Sequence, residues 1–413
     1  MKERFRNHVQ LISGNAPING DFQVALECMV GGTGGLALDS ATEYESGTPF
    51  EAGDVLFGKL RPYLAKVWLA DRPGYAVGDI HVYRPRLGVV PNFLKYVVLD
   101  REFIRRVDSE TYGAKMPRAD WGDIRETEVQ FPSGHEQQAI ADFLDRETAQ
   151  IDAMIEAQEG LVKALTARRA LSITNAVSFG LDSAELQDTG IPWLGQAPAH
   201  WEVRPLKHLG RAIIGLTYVP ENVVDECDDS TLVLRAGNIQ GGRLDYGDCV
   251  FVDAAIPPIK RLRDRDLLIC SRNGSPRLIG KSALIHGRSV GQTWGAFMTV
   301  FRSPVNDYLY WVLNSALFER QLGLFATSTI NQLTTGMLHN MRIAVPPRDE
   351  QVRIIAHTET AVAKIDDVLR EAERTVSLLR ERREALITAA VTGRMDPATG
   401  IERIDRTTEE EAS

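Results

Sequence analysis

The chain is organised around the segment EQQAIADFLDRETAQIDAMIEAQEGLVKALTARRALSITNAV at positions 136–177, which recurs as EQVRIIAHTETAVAKIDDVLREAERTVSLLRERREALITAAV at 350–391. The two copies align without a gap and share 15 identical residues of 42. Apolar residues recur in both at close to 3.5-residue spacing, which is typical of helices that bury a stripe against another helix. We therefore predict two helices, each about 60 Å long at 1.5 Å per residue.

The repeat extends beyond these helices. The same shift of 214 pairs Asn92 with Asn306, and slightly different shifts pair GDVLF (53–57) with RDLLI (265–269) and VYRP (82–85) with VFRSP (300–304). The duplicated unit is therefore a globular part followed by a long helix. Two copies of so long a period exclude a solenoid, which stacks many short repeats.

Composition places the chain among globular proteins. Of 413 residues, 44% are hydrophobic and 25% charged, which excludes wholesale disorder. The sequence contains no run of 18 apolar residues, and its four cysteines form no C-x-x-C pair, so we expect a reducing, cytoplasmic setting without membrane spans. The net charge of −9 excludes a wholly basic nucleic-acid coat protein but permits a local basic face.

The fold class predicted is α+β, with an internal pseudo-twofold repeat. Short β-rich runs such as DVLFGKL, TLVLRA and DLLICS predict strands, and one helix is expected in each globular part, near 92–107 and 306–322. Ser133 and Glu136 fit a capping box, while Gly180 and Gly393 stand where helices end. The expected domains are a first globular domain 1–131, a central spacer helix 132–180, a second globular domain 181–345, a C-terminal spacer helix 346–395 and a disordered tail 396–413.

Motifs of catalysis are missing. GKS at 280–282 lacks the glycine that a phosphate-binding loop needs at position 275, and GGTGG at 31–35 is read as a turn. Pro346-Pro347 is followed by Arg348 where amino-methylating methyltransferases carry an aromatic residue. These absences favour a binding protein without catalytic residues or metal ligands. A free-standing DNA methyltransferase or nuclease, and a coiled-coil scaffold that reads no DNA, remain the alternatives.

A basic window supports binding to double-stranded DNA. Residues 260–288 hold eight Lys/Arg against two Asp, so this window carries +6 in a chain of −9. Arginine can bridge guanine O6 and N7, asparagine can bridge adenine N6 and N7, and glycine admits close phosphate approach. Within the window we expect Arg272 and Asn273 to read bases and Arg277 and Lys281 to hold phosphate. A solvated charged loop is the alternative. The candidates here and at the matching place in the first unit are Ser271, Arg272, Asn273, Ser275, Arg277, Lys281, Lys59, Arg61 and Tyr63.

A second candidate segment precedes each helix. YGAKMPRADW (112–121) aligns with ATSTINQLTT (326–335), and the polar side chains differ between them as in modules that read different bases, although surface drift would look the same. The candidates are Lys115, Arg118, Asn331 and Gln332. On the helices, the apolar stripe is expected to dock partner subunits through Ile140, Leu144, Ile151, Ile155, Leu165, Ile354, Ile365, Leu369 and Leu379.

The duplicated P-x-x-x-E-Q-x-x-I…I-D run, the I-P-W-L-G-x-x-P-x-H-W loop at 191–201 and the G-D-x-L-x-x-x-R pattern resemble the specificity subunit of a type I restriction-modification system. The first unit lacks the I-P-W-L-G motif. The resemblance covers about 1–395 and implies two target-recognition domains, each reading one half of an asymmetric bipartite DNA site, separated by two antiparallel helices.

The resemblance also implies partners. The helices would bind two methyltransferase subunits carrying S-adenosylmethionine, and two restriction/translocase subunits using ATP and Mg would complete a phage-defence complex. That complex would be an adenine-specific DNA methyltransferase and ATP-dependent endonuclease, and the chain itself would hold no cofactor.

Overall fold

The structure is a computed structural model that describes residues 2–37, 44–113, 115–325 and 332–401. The chain divides into two compact units: unit 1 comprises residues 1–159 and 373–413, and unit 2 comprises residues 160–372. Each unit therefore contains one globular domain and segments of both long helices. Among the described residues, no helix is long and apolar enough to cross a membrane.

The globular domain of unit 1 combines short strands with short helices. Its elements are β1 Lys2–Arg4, β2 Val9–Ile12, β3 Ala16–Pro17, β4 Gln23–Val24, β5 Ser46–Phe50, β6 Val55–Gly58, β7 Val67–Leu69, β8 Gly74–Ala76, β9 Ile80–Pro85, α1 Pro91–Leu99, α2 Arg101–Ser109, α3 Trp121–Ile124 and β10 Glu128–Gln130. The first long helix, α4, is Gly134–Phe179.

The globular domain of unit 2 repeats this plan. Its elements are β11 Leu186–Asp188, β12 Gln196–Pro198, β13 Glu202–Pro205, β14 Arg211–Ile214, β15 Val223–Val224, β16 Thr231–Leu234, β17 Ile239–Gln240, β18 Arg243–Leu244, β19 Phe251–Val252, β20 Leu267–Cys270, β21 Ser282–Leu284, β22 Thr293–Trp294, β23 Met298–Arg302, α5 Asn306–Leu313, α6 Ala316–Phe325, α7 Thr335–Asn340 and β24 Arg342–Val345. The second long helix, α8, is Arg348–Val391.

The two central sheets have the same topology. The order β2-β9-β6-β7 in unit 1 corresponds to β14-β23-β20-β21 in unit 2, and both sheets are antiparallel. A further antiparallel pair, β1 with β10, corresponds to β13 with β24. Each unit also has a second four-stranded sheet with one parallel pair, β4 with β8 and β16 with β22. The repeat inferred from short sequence matches is therefore a repeat of structure.

A buried ion pair marks equivalent places in the two central sheets. Arg84 Nε donates to Asp54 at 2.9 Å, and Arg302 Nε donates to Asp266 at 2.8 Å. Both aspartates are 2% exposed. A buried carboxylate is tolerated only when it is paired and hydrogen-bonded, and each of these also accepts a backbone N–H from the turn before its strand. The pair thus secures the turn that leads into the central strand of each domain.

The prediction of one helix in each globular part was wrong, because the described residues of each part form three short α-helices. Two of the three lie where one was expected, α1 and α2 in unit 1 and α5 and α6 in unit 2. In unit 1 the chain leaves helical geometry at Asp100, where ψ is 132°, and the Asp100 side chain accepts the N–H of Phe103 to begin α2. In unit 2 the break lies between α5 and α6, where the N–H of Ala316 donates to Thr174 Oγ1. An aspartate favours a helix start over a helix interior because its side chain competes for backbone N–H groups.

The signals that bound the long helices are confirmed. Ser133 Oγ accepts the N–H of Glu136 at 3.4 Å, as an N-terminal cap does. Gly180 and Gly393 follow the two helix ends with φ of +74° and +73°, the left-handed conformation that glycine adopts without a Cβ clash. Residues 396–401 form a turn closed by Gly400 N–H on Asp396 O, and the remainder of the tail lies outside the described residues.

Both the packing of the long helices on the globular domains and their pairing with each other are observed. In unit 1, Ile140 of α4 and Ile387 of α8 lie in one core with the globular domain; in unit 2, Ile354 and Ile173 do the same. A shift of 214 relates Ile140 to Ile354 and Ile173 to Ile387. Identical residues of the repeat therefore occupy equivalent core positions, and each domain packs on the start of one helix and the end of the other.

Within each unit the two helix segments run antiparallel. In unit 1, Arg383 pairs with Asp152 at 2.8 Å and Arg380 with Glu159 at 2.6 Å, so one segment ascends in number as the other descends. In unit 2, Arg169 pairs with Asp366 at 2.7 Å, and Glu350 lies beside Gly180. Arginine is well suited to such pairs because its planar guanidinium bonds several acceptors at once.

Candidate nucleic-acid interface

In unit 1 the two candidate segments, far apart in sequence, form one surface. The loop that follows β6 runs beside residues 117–119: Ala119 N–H donates to Lys59 O at 2.9 Å, and Arg61 N–H donates to Pro117 O at 2.8 Å. An isolated antiparallel bridge pairs Leu60 with Arg118. We call the exposed residues of 59–64, 112–113 and 115–118 the strand-end surface of unit 1.

Unit 2 repeats this arrangement. The N–H of Leu333 donates to Ser271 O at 2.8 Å, and an antiparallel bridge pairs Arg272 with Gln332 just after β20. The bridged residues are the repeat counterparts of Leu60 and Arg118, shifted by 212 and 214. The exposed residues of 272–281, with Phe297 and Gln332, are the strand-end surface of unit 2. The same backbone pairing therefore supports different side chains in the two units.

The strand-end surface of unit 1 is cationic and aromatic. Arg61 and Lys115 are exposed and make no side-chain hydrogen bond or ion pair within the described part of the chain. Tyr63 is 53% exposed. Arg118 differs, because its guanidinium donates to Asp79 Oδ2 at 2.9 and 3.3 Å, and this carboxylate raises the Arg118 pKa. Lys59 is partly buried.

Sequence reasoning missed three exposed residues here. Tyr112 is 60% exposed, Met116 51% and Leu64 39%, and each lies within three residues of a candidate cation. Exposed aromatic and apolar side chains can contact the thymine methyl group or stack on a base. Their exposure could not be inferred from the sequence, because the same residue types are usually buried.

In unit 2, Arg272 stacks on an aromatic ring. Its guanidinium carbon lies 5.4 Å from the centre of the Phe297 ring, within the range of a cation–π contact. Phe297 is 59% exposed, and its carbonyl accepts the N–H groups of Ser271 and Arg272, both at 3.0 Å. No feature of the sequence pointed to Phe297, because the sheet alone brings it beside Arg272.

Two of the predicted residues serve the fold of this loop. Ser271 is 7% exposed, and its hydroxyl donates to Phe297 O and accepts from Thr299. We therefore leave Ser271 out of the DNA-contacting set. Asn273 Oδ1 accepts the N–H of Ser275 at 3.0 Å, which closes a turn, and both residues are partly buried.

The remaining candidates of unit 2 face solvent to different degrees. Arg277 and Gln332 are exposed and Lys281 is partly buried. The side chains of these three make no hydrogen bond or ion pair with any described residue. Asn331, the other predicted reader, lies outside the described residues. Among the described residues, Arg272, Arg277, Lys281 and Gln332 thus offer polar side chains at this strand end.

The basic window 260–288 is divided by β20 and does not form one patch. Lys260, Arg261, Arg263 and Arg265 precede the strand, and several of these cations are used internally. Lys260 donates to Gly215 O at 2.7 Å, and Arg265 pairs with Asp307 at 3.2 Å. After the strand, Arg288 lies over the Tyr246 ring at 4.2 Å. A count of charges along the sequence overstated the basic surface, because the residues before and after a strand lie at opposite ends of the sheet.

His81 lies beneath the strand-end surface of unit 1. Its Nδ1 is 3.1 Å from the Tyr83 hydroxyl. Burial lowers the His81 pKa to about 4, and the positive charge of Lys59 acts in the same direction. The imidazole is therefore neutral near pH 7. No group of three or more His, Cys, Asp or Glu suited to a metal ion occurs among the described residues.

The helix residues predicted to bind partners fall into two groups. Ile140, Leu144, Ile151 and Ile354 are at most 5% exposed and lie within their own units, where another chain cannot reach them. Ile140, Leu144 and Ile354 point inward because the helix ends cover the globular domains. Those partly buried are Ile155, Leu165, Ile365, Leu369 and Leu379.

Other apolar residues of the long helices face solvent. Met154 is 52% exposed and Val368 is 48% exposed, and a shift of 214 relates the two positions. Leu161, Leu171 and Leu378 are also exposed. The two helices therefore present one matched pair of apolar residues at equivalent places in the repeat.

The fold defines a class: a duplicated α+β protein in which each domain packs on two long helices and exposes one strand-end surface. Residues 19–161 match the family described as Type I restriction modification DNA specificity domain. The chain is 28% identical over 207 residues to the EcoKI specificity subunit of Escherichia coli K12, and 29% identical over 213 residues to the StySPI specificity subunit of Salmonella potsdam. These matches cover 49% of this chain and 44% and 45% of the relatives, so they span less than half of each relative's length.

A solved structure supports the same fold over nearly the whole chain. A chain from a study of complex assembly and conformational transition of the type I R-M system superposes with a TM-score of 0.69 at 15% identity, covering 95% of this chain and 97% of that one. The resemblance to type I specificity subunits that the sequence motifs indicated is confirmed.

Proposed function

We propose that the chain is the DNA sequence-specificity subunit of a type I restriction-modification system. In this role it is non-catalytic, and each globular domain reads one half of a bipartite DNA site. One observation carries the proposal beyond family likeness. Both units pair the second residue after a central strand with a later loop, and expose polar side chains there that differ between the units. Two domains with the same backbone pairing but different exposed side chains are suited to reading two different half-sites.

The partners follow from the same proposal. Two methyltransferase subunits would dock on the long helices, where Met154 and Val368 are exposed at equivalent positions. They would carry S-adenosylmethionine and methylate adenine. Two restriction/translocase subunits, using ATP and Mg²⁺, would complete the complex. The net charge of −9 disfavours unaided DNA binding, so we expect the chain to bind its site well only with the methyltransferase.

The test is co-expression with a methyltransferase subunit of the source organism, followed by mapping of methylated adenines in the host genome. We expect a two-part motif with different halves separated by a fixed spacer. The purified complex should bind that motif more tightly than the chain alone. A palindromic motif, or equal affinity with and without the methyltransferase, would contradict the proposal.

A further inference from the structure

Arg272 and Gln332 are 60 positions apart in sequence but directly opposite each other in the fold. They are partners in an antiparallel bridge. Residues opposed in such a bridge point to the same face, with Cβ atoms about 5 Å apart. Both side chains are exposed, and neither forms a side-chain hydrogen bond with the described residues. Two long polar side chains therefore stand next to each other, and no described residue uses their side-chain hydrogen-bonding groups.

The chemistry of this pair is complementary to two different purines. The arginine guanidinium has only donors, which match the O6 and N7 acceptors of guanine. The glutamine amide has one acceptor and one donor group, which match N6 and N7 of adenine. The Cβ spacing is comparable to the separation of adjacent bases, about 3.4 Å along the duplex.

We propose that Arg272 and Gln332 read two adjacent base pairs of the second half-site, Arg272 a guanine and Gln332 an adenine on either strand. This proposal rests on the proposed function, since it names the bases that one strand-end surface selects. Gln332 takes the adenine-reading role expected of Asn273, because Asn273 Oδ1 is already engaged by Ser275 N–H. A bidentate contact to adenine needs that acceptor.

Phe297 is the positioning residue for Arg272. Its ring lies beneath the guanidinium at 5.4 Å and occupies a face of the group without using any of its N–H donors. A carboxylate would use those donors, as Asp79 does with Arg118 in unit 1. A shift of 218, which also relates β9 to β23, makes Asp79 the repeat counterpart of Phe297. The two backbone carbonyls have the same role: Asp79 O accepts the N–H of Lys59, and Phe297 O accepts the N–H of Ser271.

Unit 1 cannot form the same reader. Its bridged pair is Leu60 with Arg118. Leu60 has no hydrogen-bonding side chain, and two of the donors of Arg118 are held by Asp79. The proposed purine pair therefore belongs to one half-site only, which agrees with an asymmetric target.

The experiment uses the complex with its methyltransferase subunits and DNA sites carrying every single base change in the second half-site. We expect Arg272→Ala to lose preference for guanine at one position and Gln332→Ala to lose preference for adenine at a neighbouring position, each on the order of tenfold to a hundredfold. Phe297→Ala should weaken guanine preference at the Arg272 position, and Phe297→Tyr should restore it.

Matched controls separate this effect from general loss of charge or stability. Arg263→Ala removes an exposed arginine before β20, and Gln187→Ala removes an exposed glutamine of unit 2; both should keep full discrimination. Thermal unfolding of each variant checks that the domain remains folded.

The outcomes separate failure of the paired Arg272–Gln332 reader from failure of the proposed function. If the wild-type complex has a bipartite site but the Arg272 and Gln332 variants keep their discrimination, the paired reader is refuted and the proposed function stands. The same holds if the two affected positions are not adjacent. If the wild-type complex selects no bipartite site, both fail.

Discussion

Arg383 and Asp152 form an ion pair of 2.8 Å between residues that lie 231 positions apart in the chain. The repeat operation converts them into Arg169 and Asp366, which form the counterpart pair at 2.7 Å. Each pair joins the later part of one repeat helix to the middle of the other. The two long helices are therefore joined by equivalent ion pairs in the two units.

Arg383 also holds the glycine-rich turn of unit 1, since its terminal nitrogens donate to Gly32 O at 2.6 Å and Thr33 O at 3.0 Å. Arg383→Ala should lower the free energy of unfolding by about 2–3 kcal/mol, because charge-assisted hydrogen bonds of a buried group are lost together. Urea unfolding measures the change. Arg382→Ala, which removes the exposed neighbour, should change stability by less than about 0.5 kcal/mol. Equal effects of the two substitutions would show that the ion pair contributes little.

Met154 and Val368 offer a test of partner binding. Met154→Asp or Val368→Asp should reduce the methyltransferase subunits bound from two to one, because each places a charge on an apolar contact. Native mass spectrometry of the purified complex counts the subunits. Leu87→Asp, at a fully exposed loop residue of unit 1, is the control and should leave the count at two. Retention of two subunits by both helix variants would exclude these positions from the interface.

The long helices should determine the spacer between half-sites. Insertion of seven residues after Gly160 together with seven after Arg374 lengthens both helices by about 10 Å and keeps their facing sides. We expect the spacer to grow by about three base pairs while each half-site sequence is unchanged. Methylome sequencing of cells with the altered complex measures both the spacer length and the half-site sequences.

The antiparallel ion pairs explain why both insertions are needed. Insertion in α4 alone lengthens the stretch between Asp152 and Arg169 but leaves the facing stretch of α8 unchanged. The two ion pairs can then no longer form together, so this insertion should lower stability without producing a defined spacer. A folded double-insertion complex that keeps the original spacer would refute the role of the helices as a ruler.

Lys281 and Arg277 should contact phosphate rather than bases, because they stand in the looser stretch after the Asn273 turn and are not bridged to the second segment. Lys281→Ala should weaken binding to all sequences alike and reduce the slope of log affinity against log salt by about one. DNA titration at several salt concentrations measures this slope. A change in base preference at any single position would assign Lys281 a reading role instead.

His81 should make the protein less stable in mild acid. Its pKa is about 4 in the folded state and about 6.5 when unfolded, so the unfolded state binds the proton more readily between these values. The stability contribution is full above pH 6.5 and is lost as pH falls toward 4. Between pH 7 and pH 5 the loss is at most about 2 kcal/mol.

Comparison of variants isolates the His81 contribution from that of other titrating groups. His81→Gln should show a smaller loss of unfolding free energy between pH 7 and pH 5 than the unaltered chain. His135→Gln, which changes an exposed histidine at the start of α4, should leave the loss unchanged. An identical pH dependence in the His81 variant would contradict the assignment.

The repeat, the two long helices and their ends could be predicted from the sequence. These features depend on local or periodic information: apolar residues at helical spacing, a serine cap and glycines in the left-handed conformation. The matching strands could also be predicted, because short apolar runs after Gly or Asp recur in both halves. The break at Asp100 was missed because a single capping side chain outweighed an otherwise continuous helical pattern.

The sequence by itself determined that two similar modules exist and which segments carry their polar residues. Only the tertiary structure decided that these segments join, that Phe297 lies beneath Arg272, and that Arg118 is held by Asp79. It also decided which helix residues are buried, because the apolar stripe at a helix end, which the sequence suggested for partner binding, packs on the globular domain of its own unit. The physical reason is that hydrogen-bonded bridges and buried contacts join residues remote in the chain, and those pairings depend on sheet register and packing that no local pattern encodes.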